Sequence, residues 1–119
     1  MNVYQKPMGD AVLLILEGSL DAANVPPCEA IFREVVDKHP KQVILEGSRL
    51  EFVSAMGLRA LFNFSKQMRA IAGKLSLVKP SPLIRQIFGI SGLSACIPFY
   101  ETVEEAQKLG TKQPSLPSS

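Results

Sequence analysis

The chain has 119 residues and a mass of 13.0 kDa, a length that suits one domain, since domains most often run to about 100–150 residues. Hydrophobic residues at 46% and charged residues at 20% exclude wholesale disorder. An excess of 13 Lys+Arg over 11 Asp+Glu is too small for a dedicated nucleic-acid binder or a polybasic membrane binder.

Val3–Gln5 and Ala11–Glu17 read as two extended segments, joined by the turn-rich stretch Lys6-Pro7-Met8-Gly9-Asp10. Within the second, Val12 to Leu16 is continuously apolar, as expected of a strand covered on both faces. Gly18-Ser19-Leu20-Asp21 reads as a loop. A helix follows, with Cys28, Ile31, Phe32, Val35 and Val36 at helical spacing on one face and Glu29, Arg33, Glu34 and Asp37 on the other. Asn24 before Pro26-Pro27 suits its start, and His39-Pro40 ends it.

Gln42–Glu46 is the next buried strand, and Leu50–Val53 leads from it to a second helix that begins near Ser54 and ends at Gly73, a candidate C′ glycine. Lys74–Val78 is a third central strand. Ser81-Pro82 opens a third helix with apolar face Leu83, Ile84, Ile87 and Phe88. Ile97–Tyr100 is a short strand, and Thr102-Val103-Glu104-Glu105 is a capping box opening a last helix. Residues 111–119, with Pro114 and Pro117 among Ser and Gln, are expected to form a disordered tail behind a single domain of residues 1–110. Strands alternating with amphipathic helices predict an α/β fold, a small mixed and mostly parallel sheet of about five strands with four helices.

The first apolar run, Ala11–Leu16, is shorter than a secretory core of about 7–15 residues or a membrane span of about 20. A cytoplasmic protein without direct membrane insertion is therefore expected. Cys28 and Cys96 form no metal-ligand or disulfide spacing, and Cys28 reads as a small buried hydrophobe on its helix face. Asn63-Phe64-Ser65 matches a glycosylation sequon, which without a secretory signal is read as chance.

Most catalytic signatures are missing. Gly73-Lys74 lacks the upstream glycine of a phosphate-binding loop, and Gly89-Ile90-Ser91-Gly92 lacks the Gly-x-Ser-x-Gly order of a nucleophile elbow. His39, the one histidine, stands at a helix end without an orienting carboxylate or nucleophile and reads as structural. Glu46 and Glu51 do not define an acid/base pair. No enzyme activity, cofactor or metal is expected.

The informative stretch is Phe52-Val53-Ser54-Ala55-Met56-Gly57-Leu58-Arg59-Ala60-Leu61, a strand-to-helix junction whose helix opens on small residues. It resembles the signature of the STAS domain of bacterial anti-sigma factor antagonists, in which an Asp-Ser-Ser-Gly-Leu run or similar opens a helix. Glu17-Gly18-Ser19-Leu20-Asp21 resembles that family's Gly-x-Leu-Asp loop. Val43–Glu46 with Leu50–Val53, Gly73–Val78, Ile84–Phe88 and Gly92-Leu93 follow the family's order over residues 3–107.

The resemblance implies a protein-interaction module that binds a serine-kinase-like anti-sigma factor and so releases a sigma factor. In that family the hydroxyl residue before the glycine accepts a phosphate that blocks docking. Here that position carries Met56, with Ala55 before it and Ser54 at the Asp position, so the usual switch is missing. Ser54 is the one hydroxyl in the signature; it is read first as the helix N-cap and second as a displaced phosphoacceptor. Partner contacts are expected from Asp21, by resemblance, and from Ser54, Ala55, Met56, Gly57, Leu58, Arg59, Ala60 and Asn63. The helical wheel buries Leu58, Leu61, Phe62, Ser65, Met68 and Ala72 against the sheet and turns Met56, Ala60, Asn63 and Gln67 outward. Arg59, Lys66 and Arg69 could steer an acidic partner. A phosphorylation-independent STAS subunit of another assembly, such as a transport ATPase accessory subunit or a sensory scaffold, is the alternative, with a sulfate-transporter tail domain behind it. A nucleotide-binding enzyme lacks the phosphate loop it would need. The oligomeric state is open, a homodimer included.

Overall fold

The computed structural model describes residues 1–110. Five strands form one sheet in the order β1-β2-β3-β4-β5: β1 (Asn2–Met8), β2 (Ala11–Leu20), β3 (Gln42–Val53), β4 (Lys74–Val78) and β5 (Phe99–Tyr100). β1 runs antiparallel to β2, and every other neighbouring pair is parallel. The helices are α1 (Val25–Asp37), α2 (Ala55–Ala70), α3 (Pro82–Ser91) and α4 (Val103–Gly110), with a 3-10 turn at Leu93–Ala95. This is the expected small mixed sheet with four helices. The 111–119 tail lies outside the described residues.

Strand order steps one way from β2 to β5, so crossovers of one hand put α1, α2 and α3 on one face of the sheet. Leu14, Leu16, Val43, Leu45, Leu75 and Leu77 point into that layer, where they meet Phe32, Leu61, Met68 and Phe88. Leu13, Ile44 and Val78 point to the other face, under Ala106 of α4. Cover on both faces explains why β2 and β3 read as unbroken apolar runs.

The structure lengthens three predicted strands. Lys6, Pro7 and Met8, read as turn, belong to β1 because they pair with Leu13, Val12 and Ala11. Gly18, Ser19 and Leu20 belong to β2, not to a loop, because they pair with Leu50, Phe52 and Val53. β3 is correspondingly one strand of 12 residues. Its pairing with β2 slips twice: Ile15 and Glu17 face Glu46 and Arg49, and Gly18 and Ser19 face Leu50 and Phe52. Each slip places one extra residue on β3, a bulge that bends the strand and re-aims its side chains. At the far end, strand geometry is confined to Phe99 and Tyr100, with Ile97 buried ahead of it.

Three helix ends also differ from expectation. Asn24 does not cap α1 with its side chain. α2 ends in a Schellman arrangement, with the Gly73 amide on the Met68 carbonyl at 2.8 Å and the Ala72 amide on the Arg69 carbonyl at 3.0 Å. The left-handed residue there is Ala72, at φ 59°, not Gly73. A Cβ on Gly73 would lie 2.6 Å from Met68 Cε and 3.1 Å from the Pro40 carbonyl oxygen, so the end of the Met68 side chain would have to shift to admit one. Thr102 caps α4 as predicted, accepting from the Glu105 amide at 3.0 Å, but the Glu105 carboxylate accepts from the Glu101 amide, one residue before the capping-box partner.

Candidate functional site

The end of β2, the end of β3 and the start of α2 converge at one point. The Ser54 amide donates to the Leu20 carbonyl at 2.9 Å, which ties the β3–α2 junction to the last residue of β2. Ser54 has extended backbone and caps α2: its Oγ accepts from the Gly57 amide at 3.2 Å, and its carbonyl accepts from the Leu58 amide at 2.8 Å. The predicted capping role is thus observed: the Ser54 hydroxyl satisfies one free amide of the first turn, and its carbonyl accepts the first intrahelical bond.

Gly57 is buried under this junction. A Cβ there would meet the Leu20 carbonyl oxygen at 2.6 Å and carbon atoms of Leu20 and Val53 at 2.9 Å. The glycine lets α2 start directly against the end of β2, and so brings the Ser19–Asn24 segment beside the helix N-terminus.

That segment is internally tied. Asp21 Oδ1 accepts from the Ala23 and Asn24 amides at 3.1 and 3.3 Å, while Asn24 Oδ1 accepts from the Asp21 amide at 2.8 Å. Asn24 Nδ2 donates to the Ser19 carbonyl at 2.8 Å. The Asn24 side chain closes the turn ahead of α1, which is why it does not cap that helix. Asp21 is half-buried and holds the turn through one carboxylate oxygen.

The exposed side of the junction is apolar. Met56 is 48% exposed and Phe52, re-aimed by the second β3 bulge, is 46% exposed. Ala55, Arg59 and Asn63 are exposed beside them, and Leu58 is half-buried. Two of the predicted contact residues do not reach this surface: Gly57 and Ala60 are buried. The predicted helix face is corrected accordingly. Ala60 and Phe64 lie inward, Leu58 and Phe62 are half-buried, and Ala72 is exposed. The wheel considered only the sheet, but α2 packs on α1 as well, with the Phe32 and Phe64 rings stacked 4.3 Å apart at 9°. This second contact turns the helix so that Ala60 and Phe64 face α1. Beside Ala60, Asn63 lines a shallow groove of about 140 Å³ with Glu29, Arg33 and Gln67.

Phe52 is the contact candidate that sequence reasoning passed over. Its signal was strand alternation, Val53 in and Phe52 out, obscured by the bulges. His39 stands at the opposite end of the parallel strands, lining an open cavity of about 440 Å³ with Asp10, Lys38 and Lys41. Its Nδ1 is 3.0 Å from the Asp37 carbonyl, in keeping with a structural role. Cys28 is buried, with Sγ 3.4 Å from the Met1 sulfur, and burial pushes its thiol pKa up, away from the reactive thiolate. Among the described residues no group of three His, Cys, Asp or Glu side chains could hold a metal ion, and no helix is long and apolar enough to cross a membrane.

The family model of the STAS domain matches residues 4–106. The candidate anti-sigma factor antagonist BtrV of Bordetella bronchiseptica is 34% identical over 106 residues, which cover 89% of this chain and 91% of that protein. The anti-sigma factor antagonist SpoIIAA in its unphosphorylated form superposes with a TM-score of 0.78 at 25% identity, covering 91% of this chain and 95% of that one. A candidate antagonist from Thermotoga maritima superposes with a TM-score of 0.85 at 22% identity, covering 92% of this chain and 95% of that one, a likeness of fold.

Proposed function

The chain belongs to the STAS domain family, and from that premise we propose that it is a cytoplasmic anti-sigma factor antagonist that docks on a serine-kinase-type anti-sigma factor and releases a sigma factor, without chemistry of its own. The observation that carries this reading is Met56, an exposed thioether in the first turn of α2, beside a serine that is already engaged as the cap. The docking surface is Ser54, Ala55, Met56, Arg59 and Asn63 with Phe52, and the edge of Leu58. Asp21 borders it, across the Ser54–Leu20 hydrogen bond.

A phosphate brings about −1.5 to −2 charge, which opposes docking on an apolar contact surface. Met56 has no hydroxyl to accept one. Ser54 Oγ is engaged as the cap, accepting from the Gly57 amide, and a phosphate there would add its charge beside the apolar surface rather than at position 56. The antagonist is therefore active whenever it is present, and its amount or its partner's availability sets the response.

Affinity purification from the source cells, with mass spectrometry of partners and phosphosites, tests this. Recovery of a kinase-like anti-sigma factor with unmodified Ser54 supports the reading. Recovery of a transport ATPase or a sensory complex in its place would move the protein to another STAS assembly, and phosphate on Ser54 would restore a displaced switch.

A further inference from the structure

We propose that the outer face of α2 is an electropositive docking surface whose partner presents a carboxylate-rich protein surface beside an apolar recess. This rests on the docking reading above and adds the chemistry of the partner. The sequence of α2, AMGLRALFNFSKQMRA, holds three cations and no carboxylate. One helix thus carries more positive charge than the net +2 of the whole chain.

Arg59, Lys66 and Arg69 are all exposed. None of the three takes part in the ion pairs that join Lys41 to Asp10, Arg49 to Glu17 and Arg85 to Glu101. Arg59 and Lys66 stand two turns apart on one line of the helix, and Lys66 and Arg69 are neighbours across a turn. Like charges at that spacing repel and weaken the helix. No acid in the first turn of α2 balances the positive end of the helix dipole, which adds to the same field. A partner rich in carboxylates relieves this repulsion, while Met56 and Phe52 at the end of the row supply the apolar anchor.

A phosphate backbone fits less well. Glu51 is exposed beside Phe52, and Glu29 with Arg33 lines the groove on the α1 side. These carboxylates confine the positive field to one helix, which suits a local acidic patch rather than an extended strand.

Two measurements on the full chain test the proposal. In the first, poly-L-glutamate is titrated at low ionic strength while backbone amide shifts are followed by NMR. Shifts should centre on Arg59, Lys66 and Arg69, and the Arg59→Glu/Lys66→Glu variant should lose about tenfold or more in affinity with a melting temperature no lower than that of the wild type. Shifts spread equally over Lys6, Lys41 and Lys79, or tighter binding of a DNA duplex at the same ionic strength, would overturn it. In the second, association with a co-purified anti-sigma factor is timed against salt. The association rate should fall with salt in the wild type and be about tenfold or more lower in the variant. Binding that ignores both salt and charge reversal refutes the electrostatic surface and leaves the docking function standing. If no anti-sigma factor binds, the docking function fails, and the poly-L-glutamate map still decides the surface.

Discussion

A Cβ placed on Gly57 would lie 2.6 Å from the carbonyl oxygen of Leu20. The obstacle is backbone at the end of β2, itself held by the Ser54 amide, so it cannot swing aside as a side chain would. Gly57→Ala should therefore destabilise the protein by about 1–3 kcal/mol, the usual range for overpacking, although alanine is the better helix former. Thermal unfolding should show a midpoint lower by roughly 4 °C per kcal/mol. An unchanged midpoint would mean that the close approach does not constrain α2.

Ser54 separates a cap from a switch. Removing the acceptor in Ser54→Ala should cost about 1 kcal/mol, whereas Ser54→Asp, whose carboxylate caps as well as a hydroxyl, should preserve stability. Chemical denaturation of both variants checks this. Equal losses in the two would show that the Ser54 Oγ–Gly57 amide bond contributes little.

Met56 is the test of the surface. Met56→Asp puts a charge where the resemblance places a phosphoacceptor, at an exposed position in the first helical turn. An acid there favours the helix dipole by about 0.3–1 kcal/mol, so folding should be unaffected. Binding to the anti-sigma factor should weaken by tenfold or more, about 1.4 kcal/mol, as read by calorimetry. Undiminished binding would move the interface elsewhere, and loss of folding would mark Met56 as part of the core.

Ala72 offers a gain. It is exposed and held at φ 59°, a region that costs a residue with a Cβ about 1–2 kcal/mol. Ala72→Gly should raise stability by up to about 1 kcal/mol, after the extra unfolded-state entropy of glycine is counted. A lower melting temperature in this variant contradicts the Schellman geometry.

Glu17 predicts an acid-side effect. Hydrogen bonds from Asn2 and Tyr4 hold its carboxyl below the ordinary value, against a smaller opposing effect of burial, and nearby Arg49 adds a lesser lowering. A depressed folded-state pKa contributes stability above the unfolded-state value, and that contribution is lost as pH falls through the folded one. An NMR titration should place the Glu17 midpoint below that of a free glutamate, and Asn2→Ala with Tyr4→Phe should bring it back up. A midpoint insensitive to both substitutions would show that these bonds do not form in solution.

Local rules were strong enough in the sequence to fix the order of elements and the family. The apolar runs Val12–Leu16 and Val43–Leu45 could only be covered strands, Ser54 and Ser81 could be read as caps, and Met56 in place of a hydroxyl residue needed no coordinates. What depended on contacts between distant segments was not legible. The two β3 bulges follow from pairing with β2, and they carry Gly18–Leu20 into the sheet and turn Phe52 outward. The rotation of α2 follows from the Phe32–Phe64 stack, which buries Ala60. A one-dimensional period can say that a helix has an apolar side, but a helix packed on both a sheet and a neighbouring helix turns to satisfy the two at once. The sequence by itself thus determined the fold and the methionine in the signature, and only the tertiary structure decided which residues of that helix are exposed.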